Sequence, residues 1–379
     1  MRTTESAREV GTLLWSSADR IDMSPNTLFR EYESRDWQTA TDGTVRYALI
    51  GLGWWTTDVA IPAIEESTFC ETTVLVSSSA EKATRLADEN DVERAITYEQ
   101  YHDGVAADEY DAVYVATPNA YHLDYAETAA ELGKGVLCEK PMEASVERAE
   151  RLVEACERHD APLMVAYRMQ TDPFVRIAKS LLDDGVIGDP VQVYGDNTQP
   201  LLEMIPDEDQ WRIDPDLTGY GTSVMDLGIY SINTTRFLLD REPTEVQASM
   251  ASTHPPFDRV DDERSSFLLA FEDDIQFIST ASQGAHEDTQ LKITGTEGQI
   301  ELRPAFHGEV ELRVEAGDLS VEMAHATADE VDEMCEEFDY FADRLLTGAE
   351  IGPDGRHGLR DMEIIEAIHE AAEERGLPL

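Results

Sequence analysis

The most restrictive feature of this sequence is an alternation. From about Val45 to Tyr167, short and almost continuously apolar runs take turns with helical segments. "TVRYALIGLGWW" gives a strand running into glycines, and Thr56 to Glu66 fits a first helix. "TTVLVSSS" reads as a second strand, followed by the helical "AEKATRLADEN". "DAVYVATPNAYH" is a strand ending in a turn, with a helix through Leu132; "GVLCEKP", the amphipathic "SVERAERLVEACERHD" and the strand "PLMVAY" continue the series. Short apolar strands separated by helices specify a parallel sheet of right-handed βαβ crossovers.

After about Pro190 the pattern changes. "PVQVYGDN", "TEVQASMAST", "SSFLLAFED", "IQFISTASQ", "TQLKITGTEGQIELRP" and "EVELRVEAGDLSVEMAH" look like successive strands with few helices between them. One helical run, "SVMDLGIYSINTTRFLLD", interrupts them, and "DEVDEMCEEFDYFADRLLTG" and "HGLRDMEIIEAIHEAAEER" close the chain. The expected organisation is α/β plus α+β. A polar N-terminal arm (1–43) precedes a Rossmann dinucleotide-binding domain (44–170), and an α+β domain on a large, mostly antiparallel open sheet follows (171–379). An open sheet with an apolar outer face needs cover, which predicts a homodimer or homotetramer through that face.

"GLGWWT" sits where a strand passes into a helix, the context a dinucleotide loop requires. Gly51 can take the tight turn and Gly53 lets backbone approach a pyrophosphate, with Trp54 and Trp55 beside them and Thr56 in the third small-residue position. An ordinary βα turn would look the same, but the further βα-like units support the cofactor reading. At the tip of the second strand, where an NAD site usually places a carboxylate for the ribose, this acidic chain has Ser77, Ser78 and Ser79, with Lys82 one turn on. Hydroxyls, helix N–H groups and an ammonium can accept a 2′-phosphate, so NADP is the expected cofactor. The serines would equally serve to cap the helix beginning near Ala80.

Thr117, Pro118 and Asn119 fall at a strand end beside the switch point, where open α/β sheets bind ligand, and His122 follows on the next helix. Lys140, after Glu139, lies at the next strand end and is one of only five lysines among 29 basic residues. In a chain that has nearly eliminated lysine, a plain surface role loses weight. An ammonium there can stabilise negative charge developing on a substrate oxygen. Its partner is expected from "MDLGIYSINTTRF", in which Asp226, Tyr230 and Asn233 share one face of a regular helix. At ~4 Å and an effective dielectric of ~20, attraction between ammonium and phenolate amounts to ~4 kcal/mol. That pulls a phenol pKa from its ordinary ~10 toward neutrality, making Tyr230 a usable base. Asp226 would orient the lysine or the substrate; a helix-capping or salt-bridged carboxylate is the alternative.

The net charge of −50 comes from 79 acidic residues scattered along the whole length. That distribution, with 41% apolar residues for a core, fits a protein adapted to high salt, and it makes nucleic acid and anionic membranes poor partners. No apolar run approaches membrane-spanning length, and the four widely spaced cysteines read as reduced thiols in a cytoplasm. There is no G-x-x-x-x-G-K-[ST], H-E-x-x-H or G-x-S-x-G, and the nine histidines lack ligand spacing, so no metal is expected.

Taken together, "EKP" after the fifth strand, "TPN" with a following His, and "GIY" after an aspartate resemble the glucose–fructose oxidoreductase / inositol dehydrogenase (Gfo/Idh/MocA) family over about residues 44–375. "CEKPMEAS", "YRMQTDP", "DQWRIDPDLTGYG" and "DLGIYSINTTRFLL" resemble its branch of sugar and dihydrodiol dehydrogenases. The resemblance implies Lys140 as catalytic lysine and Tyr230 as proton acceptor, with Asp226 assisting. It implies Asn119 near the nicotinamide, and Arg168, Trp211 and Arg212 along the cofactor and substrate crevice. Substrate contacts would come from Lys140, Arg168, Asp226, Tyr230 and Asn233. The implied reaction is NADP-dependent oxidation of a cyclic aldose, D-xylose foremost, at C1 to the aldonolactone. A glucose–fructose oxidoreductase-type activity, a trans-dihydrodiol dehydrogenase, and a non-catalytic dinucleotide-binding regulator stand as alternatives. "GLGWWT" and the serine triplet depart from the family's usual glycine loop and from the arginine that many NADP-dependent members use.

Overall fold

Strand β1 (Val45–Ile50) shows why the first half folds as it does: five of its six residues are buried, because helices cover both faces of the sheet. β2 (Cys70–Ser77), β3 (Arg94–Thr97), β4 (Ala112–Val115), β5 (Gly135–Cys138) and β6 (Leu163–Val165) complete a six-stranded sheet in the order β3-β2-β1-β4-β5-β6. Every neighbouring pair in it is parallel. The order reverses between β1 and β4, which opens a crevice beyond their carboxyl ends. The computed structural model describes residues 35–37, 42–307, 310–324 and 330–374. Most of the predicted arm therefore lies outside the described residues.

The connecting helices are α1 (Ile61–Glu66), α2 (Ala80–Glu89), α3 (His122–Glu131) and α4 (Val146–Arg158). The segment Thr56–Glu66 is not one regular helix as expected, since Thr56–Ala60 forms a wider π turn before α1. The alternation also passes over β3, four residues with little apolar signal, and α5 (Pro173–Asp183). α5 did carry a start signal: Asp172 accepts hydrogen bonds from the amides of Phe174 and Val175, and proline occupies the first turn.

The second sheet has eight strands: β7 (Pro190–Pro200), β8 (Pro243–Ala251), β9 (Arg264–Phe271), β10 (Gln276–Ser282), β11 (Gly284–Gly295), β12 (Gly298–Leu302), β13 (Glu311–Ala316) and β14 (Leu319–Ala324). Their order is β14-β13-β12-β11-β7-β10-β9-β8, antiparallel except for β7 beside β10. Burial alternates along β9 and β10, as it must when only one face meets a core. Helix α6 (Ile229–Leu239) covers the inner face, and Gly195 leaves room for it, since a Cβ there would meet the Ser231 side chain at 2.9 Å. α7 (Glu330–Thr347) returns to the first lobe, where Phe338 meets Tyr47 and Tyr114 edge-on. Trp37 packs against Tyr340 of the same helix. α8 (Gly355–Glu373) spans both lobes: Gly355 abuts Leu163 and Gly358 abuts Val165, while Arg360 donates to the Pro243 carbonyl.

Candidate active site

The crevice begins at the turn after β1. Gly51 has φ of +94°, and a Cβ at that position would meet the Ala116 carbonyl oxygen at 2.5 Å, so only glycine fits. A Cβ on Gly53 would meet nothing within 4 Å, which leaves its backbone open to close approach. Thr56 fills the third position by folding inward: its Oγ1 donates to the Gly51 carbonyl at 2.6 Å, and the π turn accommodates the larger side chain. Trp54 is half exposed, whereas the Trp55 indole donates to the Tyr114 hydroxyl at 3.0 Å. Opposite Gly51, Thr117 is buried and its hydroxyl finds no partner among the described residues. An empty-sided glycine turn and an orphaned buried hydroxyl fit the pyrophosphate and ribose of a dinucleotide.

At the tip of β2 the serines divide their work. Ser79 caps α2, accepting from the Lys82 amide at 3.2 Å, so the alternative reading holds for this residue. Ser77 is buried and accepts from the Ser79 amide. Ser78 and Lys82 are exposed, and the strand tip itself carries hydroxyls in place of a carboxylate, the nearest one being Glu81 in the first turn of α2; this suits a 2′-phosphate better than a bare ribose diol.

Lys140 sits after β5, and its peptide bond to Pro141 is cis. Its ammonium reaches the second lobe, 3.3 Å from Asp226 Oδ1 and 4.7 Å from the centroid of the Tyr230 ring, over the ring face. Asp226 lies in a π turn (Val224–Gly228) directly ahead of α6, so the predicted single regular helix begins with a widened turn. Such turns recur at functional sites because they re-aim side chains. The second carboxylate oxygen of Asp226 meets Arg212 Nε at 3.3 Å and accepts from Gln283 Nε2 at 3.1 Å. Burial would raise the Asp226 pKa, but Lys140, Arg212 and the Gln283 amide hold it far below the usual carboxylate range. Burial likewise disfavours charge on Lys140, yet Tyr230, Asp226 and Glu139 outweigh it and keep its pKa above the ordinary lysine value. Glu139 accepts from the Tyr114 hydroxyl and from the Lys140 amide, which anchors the strand end. Trp211 lies beneath the Arg212 guanidinium, 4.6 Å from ring centroid to Cζ.

Arg168 closes the cluster from the turn after β6. It is buried, with its guanidinium 5.1 Å from the Trp55 ring and 5.4 Å from that of Tyr230. Glu333 of α7 pairs with its Nε at 3.3 Å. Its Nη2 donates to the Phe306 carbonyl at 2.9 Å and to His307 Nδ1 at 3.0 Å. The α6 turn is held from outside by Asp262, which accepts from the amides of Thr222 at 2.6 Å and Val224 at 3.0 Å.

Three predicted residues are engaged by partners within the protein. Asn233 is buried and lines a small cavity with Lys140, Arg168 and Tyr230, where its amide is already engaged by Gln170, His357 and Asp361. His122 is fully buried, with its two ring nitrogens at the Thr117 and Met142 carbonyls; it braces the strand-end turn. Burial pushes its pKa down, while the two carbonyls, which can only accept, favour the protonated ring and partly offset the shift. Asn119 is buried too, donating to the Thr218 carbonyl at 2.9 Å, where it ties the lobes together, and Pro118 is the residue before it. Conversely, sequence reasoning passed over Gln283, His307, Glu333 and Asp262. Among the described residues no group of His, Cys, Asp and Glu could hold a metal ion.

Comparison with known proteins agrees with this geometry. Residues 45–167 match the family described as oxidoreductases with an NAD-binding Rossmann fold, and residues 175–301 match the GFO/IDH/MocA C-terminal domain. The chain is 52% identical over 356 residues to the D-xylose 1-dehydrogenase [NADP(+)] of Haloarcula marismortui, covering 93% of this chain and 98% of that one. It is 32% identical to D-xylose 1-dehydrogenase (NADP(+)) 2 of Haloferax volcanii, over 83% of this chain and 93% of the other. Among solved structures, the aldose-aldose oxidoreductase of Caulobacter crescentus complexed with glycerol superimposes with a TM-score of 0.81 at 30% identity, covering 89% of this chain and all of that one. A glycine turn at the switch point, a lysine following Glu139 and an open sheet behind it, matched along both lobes, place this chain in the GFO/IDH/MocA family of oxidoreductases.

Proposed function

We propose that this protein oxidises a cyclic aldose, D-xylose foremost, at C1 to the aldonolactone with NADP as cofactor. The observation that carries the reading is the Lys140 ammonium lying over the Tyr230 ring and against Asp226, with Arg168 between that ring and Trp55 of the glycine turn. NADP, when bound, supplies the acceptor for the C1 hydride. Gly51 and Gly53 would receive its pyrophosphate, and Ser77, Ser78 and Lys82 its 2′-phosphate, while Trp55 and Arg168 wall the crevice. Tyr230 takes the proton of the C1 hydroxyl, and Lys140 stabilises the negative charge as it develops on that oxygen. Asp226 keeps the lysine charged and aimed, sharing its second oxygen with Arg212 and Gln283.

The test is formation of reduced nicotinamide from D-xylose with NADP, beside NAD, in molar KCl, across a panel that includes glucose and a trans-dihydrodiol. Faster turnover of D-xylose with NADP is the expected result. Failure to reduce either nucleotide with any sugar would leave a nucleotide-binding protein without this chemistry.

The same reading includes the protein's surroundings. A charge of −50 repels itself in dilute buffer, so the melting temperature should rise steeply with KCl; a flat response rejects salt adaptation. Leu268, Ile278 and Tyr194 form a row across β9, β10 and β7, with Ile278 and Tyr194 exposed. Association of copies through this outer face would cover it, and a monomeric mass by light scattering would sink that idea. Burial pushes the thiols of Cys70, Cys156 and Cys335 up to about 12, and all four cysteines are free, in keeping with a reducing cytoplasm. No described helix is long and apolar enough to cross a membrane.

A further inference from the structure

His307 stands at the edge of the site, in the connection between β12 and β13. Its ring meets that of Tyr230 edge-on, with centroids 5.0 Å apart and an interplanar angle of 66°. Which ring nitrogen carries the proton follows from its neighbour. The guanidinium of Arg168 has donors and no acceptor, and its Nη2 lies 3.0 Å from His307 Nδ1. Nδ1 must therefore offer its lone pair, which places the hydrogen of the neutral ring on Nε2.

That Nε2–H is shut off from water and has no acceptor among the described residues. A buried donor left unmet is costly, and native structures seldom keep one without a purpose. Burial, with the cations of Arg168 and Lys140 nearby, pushes the ring's pKa down to about 3, so it stays a neutral donor through the working range. The cations around it, Lys140 and Arg168, cannot accept its hydrogen. The ring contact with Tyr230 points to a molecule bound beside Tyr230 as the source of the missing acceptor. A neutral N–H donor suits an uncharged oxygen lone pair; in a cyclic aldose the ring oxygen bonded to C1 offers one, and the hydroxyl on the neighbouring carbon offers one that a deoxy sugar can remove.

We propose that His307 is a specificity residue whose Nε2–H donates to the sugar hydroxyl next to the carbon being oxidised. This rests on the sugar-oxidising reading above. His307 reads the substrate, while Tyr230 and Lys140 perform the proton chemistry. Arg168, itself held by Glu333, sets the tautomer and thereby converts an ambidextrous side chain into a dedicated donor.

The test compares D-xylose with 2-deoxy-D-xylose in the wild type, His307→Phe and His307→Asn, at saturating NADP in molar KCl. In the wild type D-xylose is the better substrate. In His307→Phe, kcat/KM for D-xylose should fall by about 10- to 100-fold, chiefly through KM, with 2-deoxy-D-xylose little changed, so the preference collapses. His307→Asn should recover part of it, because a carboxamide can accept from Arg168 and donate from its nitrogen. NADP affinity, read by tryptophan quenching, should be unchanged. Equal losses on both sugars in His307→Phe, or no loss on either, would overturn the assignment. The ratio of the two sugars is internal to each variant, so partial destabilisation does not blur it. A wild type that oxidises no aldose removes the functional reading and this one together, whereas an active wild type with an unmoved preference in His307→Phe removes this one alone.

Discussion

The two walls of the crevice are built on different plans. The first is mostly backbone: Gly51 to Thr56 form one continuous turn whose shape follows from φ at Gly51 and the hydroxyl of Thr56. The second is mostly side chains brought from far apart, with Lys140, Arg168, Asp226, Tyr230, Gln283, His307 and Glu333 meeting across both lobes. A backbone cradle binds what every dinucleotide shares. A side-chain cluster carries the chemistry and the choice of substrate, so it can change without disturbing the cradle.

The contrast is sharpest at the chemical pair. Lys140→Met and Tyr230→Phe should each lower kcat by about 10²–10⁴-fold while leaving NADP affinity nearly intact, measured by steady-state rates and tryptophan quenching. If either variant lost nucleotide binding in step with turnover, the two walls would not be separable. Asp226→Asn should act next, and its effect should appear in the pH profile. The lysine's pKa is held above its usual value partly by this carboxylate. Removing the anion lets burial dominate, so Lys140 loses its proton at a lower pH and the alkaline limb of kcat moves down by about one pH unit or more. An unmoved limb would mean that Asp226 does not govern the lysine's charge. The smallest effect on the chemistry is expected from the cradle. Gly51→Ala forces a side chain into positive φ and against the Ala116 carbonyl, weakening NADP binding and lowering stability by about 1–3 kcal/mol. Its kcat at saturating NADP should remain near wild type; a collapse of kcat would show that the turn also shapes the catalytic wall.

Legibility followed the same division. The βαβ series, the glycine turn and Lys140 could be read because each lies in a short segment whose pattern has a local cause. Helical spacing put Asp226, Tyr230 and Asn233 on one face, and Asn233 does line a cavity with Lys140 and Tyr230, but spacing could not show that its amide is already engaged. The run opens with a π turn, and the Asn233 amide is claimed by Gln170, His357 and Asp361 from elements remote in sequence. His122 was read by its place at a helix start, and two backbone carbonyls claimed its ring. Glu333 is one carboxylate among 79 acidic residues and Gln283 one polar residue at a strand end, so nothing local marked either of them. Their roles exist only where Arg168 and Asp226 arrive.

Sequence by itself determined the succession of strands and helices, the parallel sheet that follows from it, and the glycine-lined turn at the switch point. Hydrophobic period and backbone freedom are properties of neighbouring residues, so they survive being read in one dimension. Tertiary structure alone decided which polar groups face one another: the ammonium over the Tyr230 ring, the carboxylate shared by Lys140 and Arg212, and the proton placed on His307 Nε2 by Arg168. Electrostatic and hydrogen-bonding roles are set by partners within a few ångströms, and those partners come from parts of the chain that only folding brings together.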